Sequence, residues 1–242
     1  IGVVTRPFGF EGKRRAAQAD TGIHTLRESV DTLIVVPNDR LLEISEPGIS
    51  MIEAFAAADQ VLLAGVQGIT DLITTPGLIN VDFADVKSVM QGAGSALMGI
   101  GSARGADRAI KAAELAVASP LLEASIEGAH GVLLSIQGSS NLALSEITEA
   151  SQLVHDVVHS EANIIFGTVI DDTLGDEVRV TVIAAGFDPE QLEANTGRSA
   201  ERGRFASRVE TIDDLPAAPA RAKSSESSEN PAEFGEVIVS PP

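Results

Sequence analysis

Residues 49–75, ISMIEAFAAADQVLLAGVQGITDLITT, constrain the fold of this chain more than any other segment. Ile52, Phe55, Asp59, Leu62, Val66, Ile69 and Ile73 recur at alternating spacings of three and four, the repeat of one stripe along an α-helix. At 1.5 Å per residue the segment makes a rod of roughly 40 Å, long enough to bridge two domains. Thr75-Pro76-Gly77 ends it, because proline lacks the donor a helix needs and disfavours helix at the residue before it. Whatever surrounds this rod must offer it an apolar surface.

The flanks read as layers of strand and helix. IGVVT, the loop RPFGFEG, the helix KRRAAQADTGIHTLRESV and the strand DTLIVVPND fill residues 1–48 as an α/β unit. Between 95 and 187, SALMGIGSA predicts a strand, ADRAIKAAELAVA a helix and HGVLLSIQG a second strand. LSEITEASQLVHDVV predicts another helix, and NIIFGTVID with EVRVTVIAAGF a hairpin across DTLGD. Together these predict a compact α+β domain with a four-stranded sheet and two helices. Residues 189–242 carry ten acids and six bases without periodicity and predict a disordered tail.

Composition removes several classes of function. The 242 residues are 44% hydrophobic, enough for a substantial core, and contain no cysteine, so thiolate metal sites and disulfides are excluded. A net charge of −18 argues against nucleic acid or an anionic membrane as direct partner. No apolar run is expected to reach the roughly 20 residues of a membrane span. The chain opens on Ile1 inside an apolar strand, which suggests a fragment whose N-terminal part is absent.

Several polar residues stand out by position. Glu11 and Arg15, four apart at a helix start, read as a surface ion pair. Asn38 follows an apolar strand in VVPND, where Pro-Asn-Asp favours a turn and where ligands of open α/β sheets also sit. Asp59 occupies the apolar stripe of the long helix, where a carboxylate needs a partner, either a cap or ion pair or a ligand. Phe55, one turn earlier, reads as core. In INVDFADV, Asp82 and Asp85 have the spacing of an N-cap and the acid at N3, a variant capping box. His155 and His159 mimic a two-histidine metal helix but lack a third ligand, so no metal site is expected. Gly99, Gly101 and Gly105 have the wrong spacing for a dinucleotide loop and read as a tight strand-to-helix turn.

Three stretches carry a resemblance: RPFGFEGKRR at 6–15, GLINVDFADVKSVM at 77–90 and ALMGIGSARG at 96–105. With IEAFAAADQVLLAGVQGITDLIT and NIIFGTVIDDTLGDEVRVTVIAAGFD they resemble the FtsZ family of tubulin-like GTPases of bacterial cell division, continuously over residues 1–188. The fold implied is α/β: a partial tubulin/FtsZ-type nucleotide-binding sheet at 1–48, the central helix at 49–75, the catalytic loop and following helix at 76–94, and the C-terminal α+β domain at 95–188. The family's glycine-rich phosphate loop, a GGGTGTG run, does not occur in the sequence, so the chain alone is expected neither to bind GTP tightly nor to hydrolyse it.

The resemblance also implies roles. Glu11 and Arg15 would line the sugar and phosphate side of a GTP or GDP pocket, Asn38 would read the base, Asp59 would accept from guanine N1–H and N2–H, and Phe55 would stack on that base. Asp85, then Asp82, would direct the attacking water, with Asn80 positioning, all acting on the nucleotide of a neighbouring subunit. Mg2+ would accompany the nucleotide. The partners implied are further copies in a head-to-tail filament, and division proteins bound through the tail, whose EFGEVIVSPP resembles only the first part of the family's terminal motif. The setting implied is the cytoplasm at the mid-cell division site. Two alternatives remain at this point: a non-catalytic α+β scaffold module, and a tubulin-like filament protein of plasmid partition.

Overall fold

The computed structural model describes residues 1–45, 48–122 and 126–187; the expected disordered tail at 189–242 lies outside the described residues. Its strands are β1 (Gly2–Arg6), β2 (Thr32–Pro37), β3 (Gly94–Arg104), β4 (Gly131–Gly138), β5 (Asn163–Ile170) and β6 (Glu177–Ala185). Its helices are α1 (Lys13–Arg27), α2 (Asn38–Ile44), α3 (Met51–Thr74), α4 (Phe83–Met90), α5 (Arg108–Val117) and α6 (Leu144–Val157). The α/β architecture expected from the sequence is present. Helix α2 was not foreseen, because its seven residues offer too short a periodic signal.

The strands form one six-stranded sheet in the order β1-β2-β3-β6-β4-β5. The anticipated four-stranded portion is continuous with β1 and β2, joined where Thr32, Leu33 and Ile34 run parallel to Gly94, Ser95 and Ala96. The expected hairpin is not formed. Strand β6 pairs antiparallel with both β3 and β4, and β5 lies beyond β4 at the edge. Strand β4 is buried at every residue and needs a partner on each side, so the segment after β5 crosses it rather than folding back.

Alternation along the strands divides the core between two faces. Val132, Leu134, Ile136, Val180 and Val182 meet α5 and α6 on one face. Leu133, Ile183 and Met98 meet α3 and α4 on the other.

Helix α3 begins at Ser50, whose Oγ accepts the Glu53 amide while the Glu53 carboxylate accepts the Ser50 amide, a reciprocal capping box. The buried face of α3 differs from the expected stripe. Ala54, Ala58, Gly65, Gly68, Ile69 and Leu72 face the sheet, whereas Ile52 is 83% exposed and Phe55, Asp59 and Val66 also lie outward. Small residues win the inner face because the helix lies so close: a Cβ on Gly65 would sit 2.8 Å from Met98 Sδ, and one on Gly68 3.0 Å from Thr181 Cγ2. By length and composition α3 is apolar enough to cross a membrane, with a mean hydropathy of 1.2, which corrects the expectation that no run reaches that size.

The decoy glycines have a different cause from the one expected. Gly99 and Gly101 lie inside β3, where a Cβ would stand 2.0 Å from Ala116 O and 2.1 Å from Ala112 O, so they admit the backbone of α5. Only Gly105, at φ 81°, belongs to the turn after the strand.

Candidate functional site

Strands β1 and β2 run parallel, so their C-terminal ends open on the same side of the sheet. There they border an open cavity of about 550 Å³, closed on one flank by α1 and on the other by the first half of α3. Glu11, Arg15, Asn38, Phe55 and Asp59, the five residues singled out for a ligand, all line it. The sequence reading did not anticipate Thr5, Gln18 or Leu62, which line it too. They sit at ordinary strand and helix positions and carry no motif.

Each wall has its own construction. Phe8 is buried and donates its amide to Glu11 Oε1 at 2.9 Å, which folds the loop back on itself. The other oxygen of Glu11 pairs with Arg15 Nε at 2.9 Å, with side-chain exposures of 10% and 70% respectively. The surface-pair reading and the cavity-wall reading therefore describe the same geometry. Phe55 is held edge-on by Phe8 and Phe10, at ring-centroid distances of 5.4 Å and 6.2 Å. It is partly exposed beside the cavity and is not the core residue its spacing alone suggested.

Asn38 is the most constrained residue of the site. It is 4% exposed at the start of α2, and among the described residues its Oδ1 has no hydrogen-bond partner. An orphaned buried acceptor is unfavourable unless something fills its lone pairs. Asp59 lies one turn from Phe55, exposed at the cavity, and among the described residues its carboxylate has neither hydrogen bond nor ion pair. The buried cap or ion pair offered for Asp59 on sequence grounds is thus not what the structure shows.

The second group of site residues lies at the far end of α3, roughly 22 Å along the helix from Asp59. Asp82 Oδ1 accepts the Asp85 amide at 2.9 Å, and Asp85 Oδ2 accepts the Asp82 amide at 3.3 Å, the reciprocal cap expected from their spacing. Asn80 Oδ1 accepts the Gly77 amide at 2.8 Å. All three side chains are on exposed residues, flanked by Leu78 and Phe83, which are 58% and 67% exposed. The structure does not bring Asn80, Asp82 and Asp85 to the cavity of their own chain.

His159 lies beyond the end of α6 and its Nδ1 accepts the Glu161 amide at 3.1 Å. Among the described residues no group of three or more potential ligands could hold a metal ion.

Comparison with known proteins gives this geometry a family. Residues 1–46 match the GTPase domain of the tubulin/FtsZ family and residues 94–188 the C-terminal domain of the FtsZ family, together more than half of the chain. A solved structure of an empty FtsZ dimer from M. jannaschii is 44% identical over 76% of this chain and 53% of that one, with a TM-score of 0.73. The GDP-bound monomer of CetZ1 from Haloferax volcanii shares the fold at 20% identity, with a TM-score of 0.62 over 84% of this chain and 60% of that one. The chain spans about half the length of the FtsZ structures it matches. Through its two matched domains and its likeness to the M. jannaschii FtsZ, it belongs to the tubulin/FtsZ family.

Proposed function

We propose that this chain supplies the base and sugar walls of a guanine-nucleotide site, and that its acidic loop acts on the nucleotide of the next copy in a head-to-tail filament. Asn38 carries this reading: it lines the cavity, and its buried Oδ1, unpartnered among the described residues, lacks the donors that a guanine edge offers. Asp59 would accept from N1–H and N2–H, and Phe55 would cover the ring face. Arg15 is exposed at the same cavity and would meet phosphate, for which a guanidinium is well shaped.

Separation of the two groups along α3 supports action between copies. A cavity at one end and an acid pair at the other cannot serve one reaction within one chain. Translation of identical copies along the helix direction would set acids against a nucleotide, and such heterologous contacts extend without closing. Asp85 would orient the attacking water, with Asp82 and Asn80 supporting, since phosphoryl transfer depends chiefly on placement and charge. The activity of the whole protein would be GTP hydrolysis at subunit interfaces. Its role would be the division ring of bacterial cytokinesis, in the cytoplasm at mid-cell, with division proteins engaged by the tail. Mg2+ would travel with the nucleotide phosphates. Of the two acids that line the cavity, Glu11 has both oxygens engaged and Asp59 stands alone, so among the described residues the cavity supplies no cage for it.

Titration of the 15N-labelled chain with GDP and with ADP tests the site. Shifts at Asn38, Phe55 and Asp59 with GDP, and much weaker ones with ADP, are expected. Equal response to both nucleotides, or shifts confined to other residues, would overturn the guanine reading.

A further inference from the structure

We infer that Asp39 is a positioning residue for this cavity: its carboxylate anchors the loop that carries Glu11, and through Glu11 it sets Arg15 at a fixed span from Asn38. This role presupposes the nucleotide reading given above. Asp39 follows Asn38 directly on α2, so whatever Asp39 holds is registered against the buried amide. It holds Gly9, whose amide donates to Asp39 Oδ1 at 2.8 Å across thirty residues of sequence. The backbone there lies flat against the carboxylate, since a Cβ on Gly9 would stand 3.3 Å from Asp39 Oδ2.

From Gly9 the contact passes along the loop. Phe8, its neighbour, donates to Glu11 Oε1, and Glu11 Oε2 pairs with Arg15 Nε. Arg15 has no second partner among the described residues, so Glu11 alone fixes its guanidinium. The hydrogen bond from Gly9 to Asp39 ties the wall that carries Asn38 to the loop that carries this pair. Without it the loop keeps its internal bonds but loses its register. A ligand that touches only the Asn38 side would not notice. A ligand that reaches both walls would.

GDP and guanosine separate these cases, because both present the same base and only GDP extends a phosphate toward Arg15. Both are titrated into the 15N-labelled full chain carrying Asp39, Asp39→Ala or Asp39→Asn, and the Asn38 side-chain amide and the Arg15 Nε–H are followed. Asp39→Ala is expected to weaken GDP by at least about fivefold, the loss of one hydrogen bond to a charged group, and to leave guanosine unchanged. Asp39→Asn keeps an oxygen for the Gly9 amide and is expected to stay within about twofold of the parent. Equal loss for both ligands in Asp39→Ala, or no loss for either, would overturn the positioning role. A parent chain that responds to neither ligand would remove the nucleotide reading instead. The relay is then judged by Arg15 Nε–H itself: broadening in Asp39→Ala with recovery in Asp39→Asn supports it, and an unchanged resonance overturns it.

Discussion

Thr168 and Ile79 exchange hydrogen bonds across 89 residues of sequence: Thr168 Oγ1 accepts the Ile79 amide at 2.8 Å, and Ile79 O accepts the Thr168 amide at 2.9 Å. The acid-bearing loop after α3 is thereby clamped to β5, on the edge of the sheet farthest from β1. Thr168 is 1% exposed, so its hydroxyl is a committed structural group.

Replacing Thr168 by valine preserves shape and removes the acceptor. The Ile79 amide then loses its partner in a partly buried place, at a cost of about 1–3 kcal/mol. Urea denaturation should show that loss, and hydrogen exchange at Ile79 should accelerate while α5 stays protected. Thr168→Ser should recover most of it. Parental stability in Thr168→Val would mean that the backbone pair alone holds the loop.

Gly77 and Gly22 provide a paired test of why glycine occurs where it does. A Cβ on Gly77 would lie 1.7 Å from Thr168 O, so Gly77→Ala must push the loop off β5 and should destabilise by several kcal/mol. Gly22 sits within α1 with nothing inside 4 Å of its would-be Cβ, and Gly22→Ala should stabilise by roughly 0.5–1 kcal/mol. Thermal melts of the two variants should move in opposite directions. A shift of the same sign in both would sink the close-approach account of Gly77.

Much of this architecture was legible in the sequence, and the failures share a cause. The length of α3, its Pro-Gly stop and the Asp82–Asp85 cap follow from local rules that hold wherever the segment lies. The inner face of α3 did not follow. Hydrophobicity ranks Ile52 and Val66 above Gly65 and Gly68, but the separation of helix and sheet, a tertiary quantity, reverses that order. The hairpin was misread for a similar reason: a short connector specifies nearness and leaves open which strand lies between. At the cavity, the motif residues were readable, while Thr5, Gln18 and the tie from Asp39 to Gly9 depend on contacts across the fold.

Arg108 is buried at the start of α5, where it joins Glu146, Asp176 and Asn141 and so links the first turn of α6 to the turns before α6 and β6. Removing it leaves Glu146, only a quarter exposed, without its cation, while Asp176 stays largely solvated, and Arg108→Met should cost about 1–3 kcal/mol. The hydrogen bond from Arg108 is the main cause that holds the Glu146 carboxyl below its ordinary range. A depressed folded pKa contributes stability that is full above the unfolded value and is lost as pH falls through the folded one. The parent should therefore lose stability on acidification below the usual carboxylate range, and Arg108→Met should show a shallower acid limb. Superimposable acid limbs would remove Glu146 from the account.

Asp71, on the last turns of α3, has the opposite sign. Burial, and then the charge of Asp171, raise its pKa. A raised carboxyl opposes folding at neutral pH, and the opposition fades as pH falls through the folded value. Asp71→Asn should stabilise at pH 7, by an amount kept to roughly half a kcal/mol by solvent screening of a partly exposed group. The gain should fade as pH falls through the raised folded value, because the parent then takes up the proton that removes the charge. A gain of constant size across that range would point to a cause other than charge.

Asp85→Asn distinguishes the chemical role of the loop from its architectural one. Both are available, because Asp85 closes the reciprocal cap with Asp82 and also stands exposed at the end of α3 opposite the cavity. Asparagine keeps an oxygen that can accept the Asp82 amide, so the cap should survive with at most about 1 kcal/mol lost. What it lacks is the charge and basicity that would orient and polarise a water. If Asp85 serves the nucleotide of the next copy, GTP turnover by the assembling protein should fall at least ~100-fold, the lower range for loss of a positioned general base. Nucleotide binding by the single copy should be unchanged, since Asp85 is remote from the cavity that would hold it. Filaments should form and then persist, because assembly needs the nucleotide in place and disassembly needs it hydrolysed. Turnover per assembled subunit, measured alongside filament mass by light scattering, separates the accounts. Near-parental turnover with a small stability loss would confine Asp85 to capping α4.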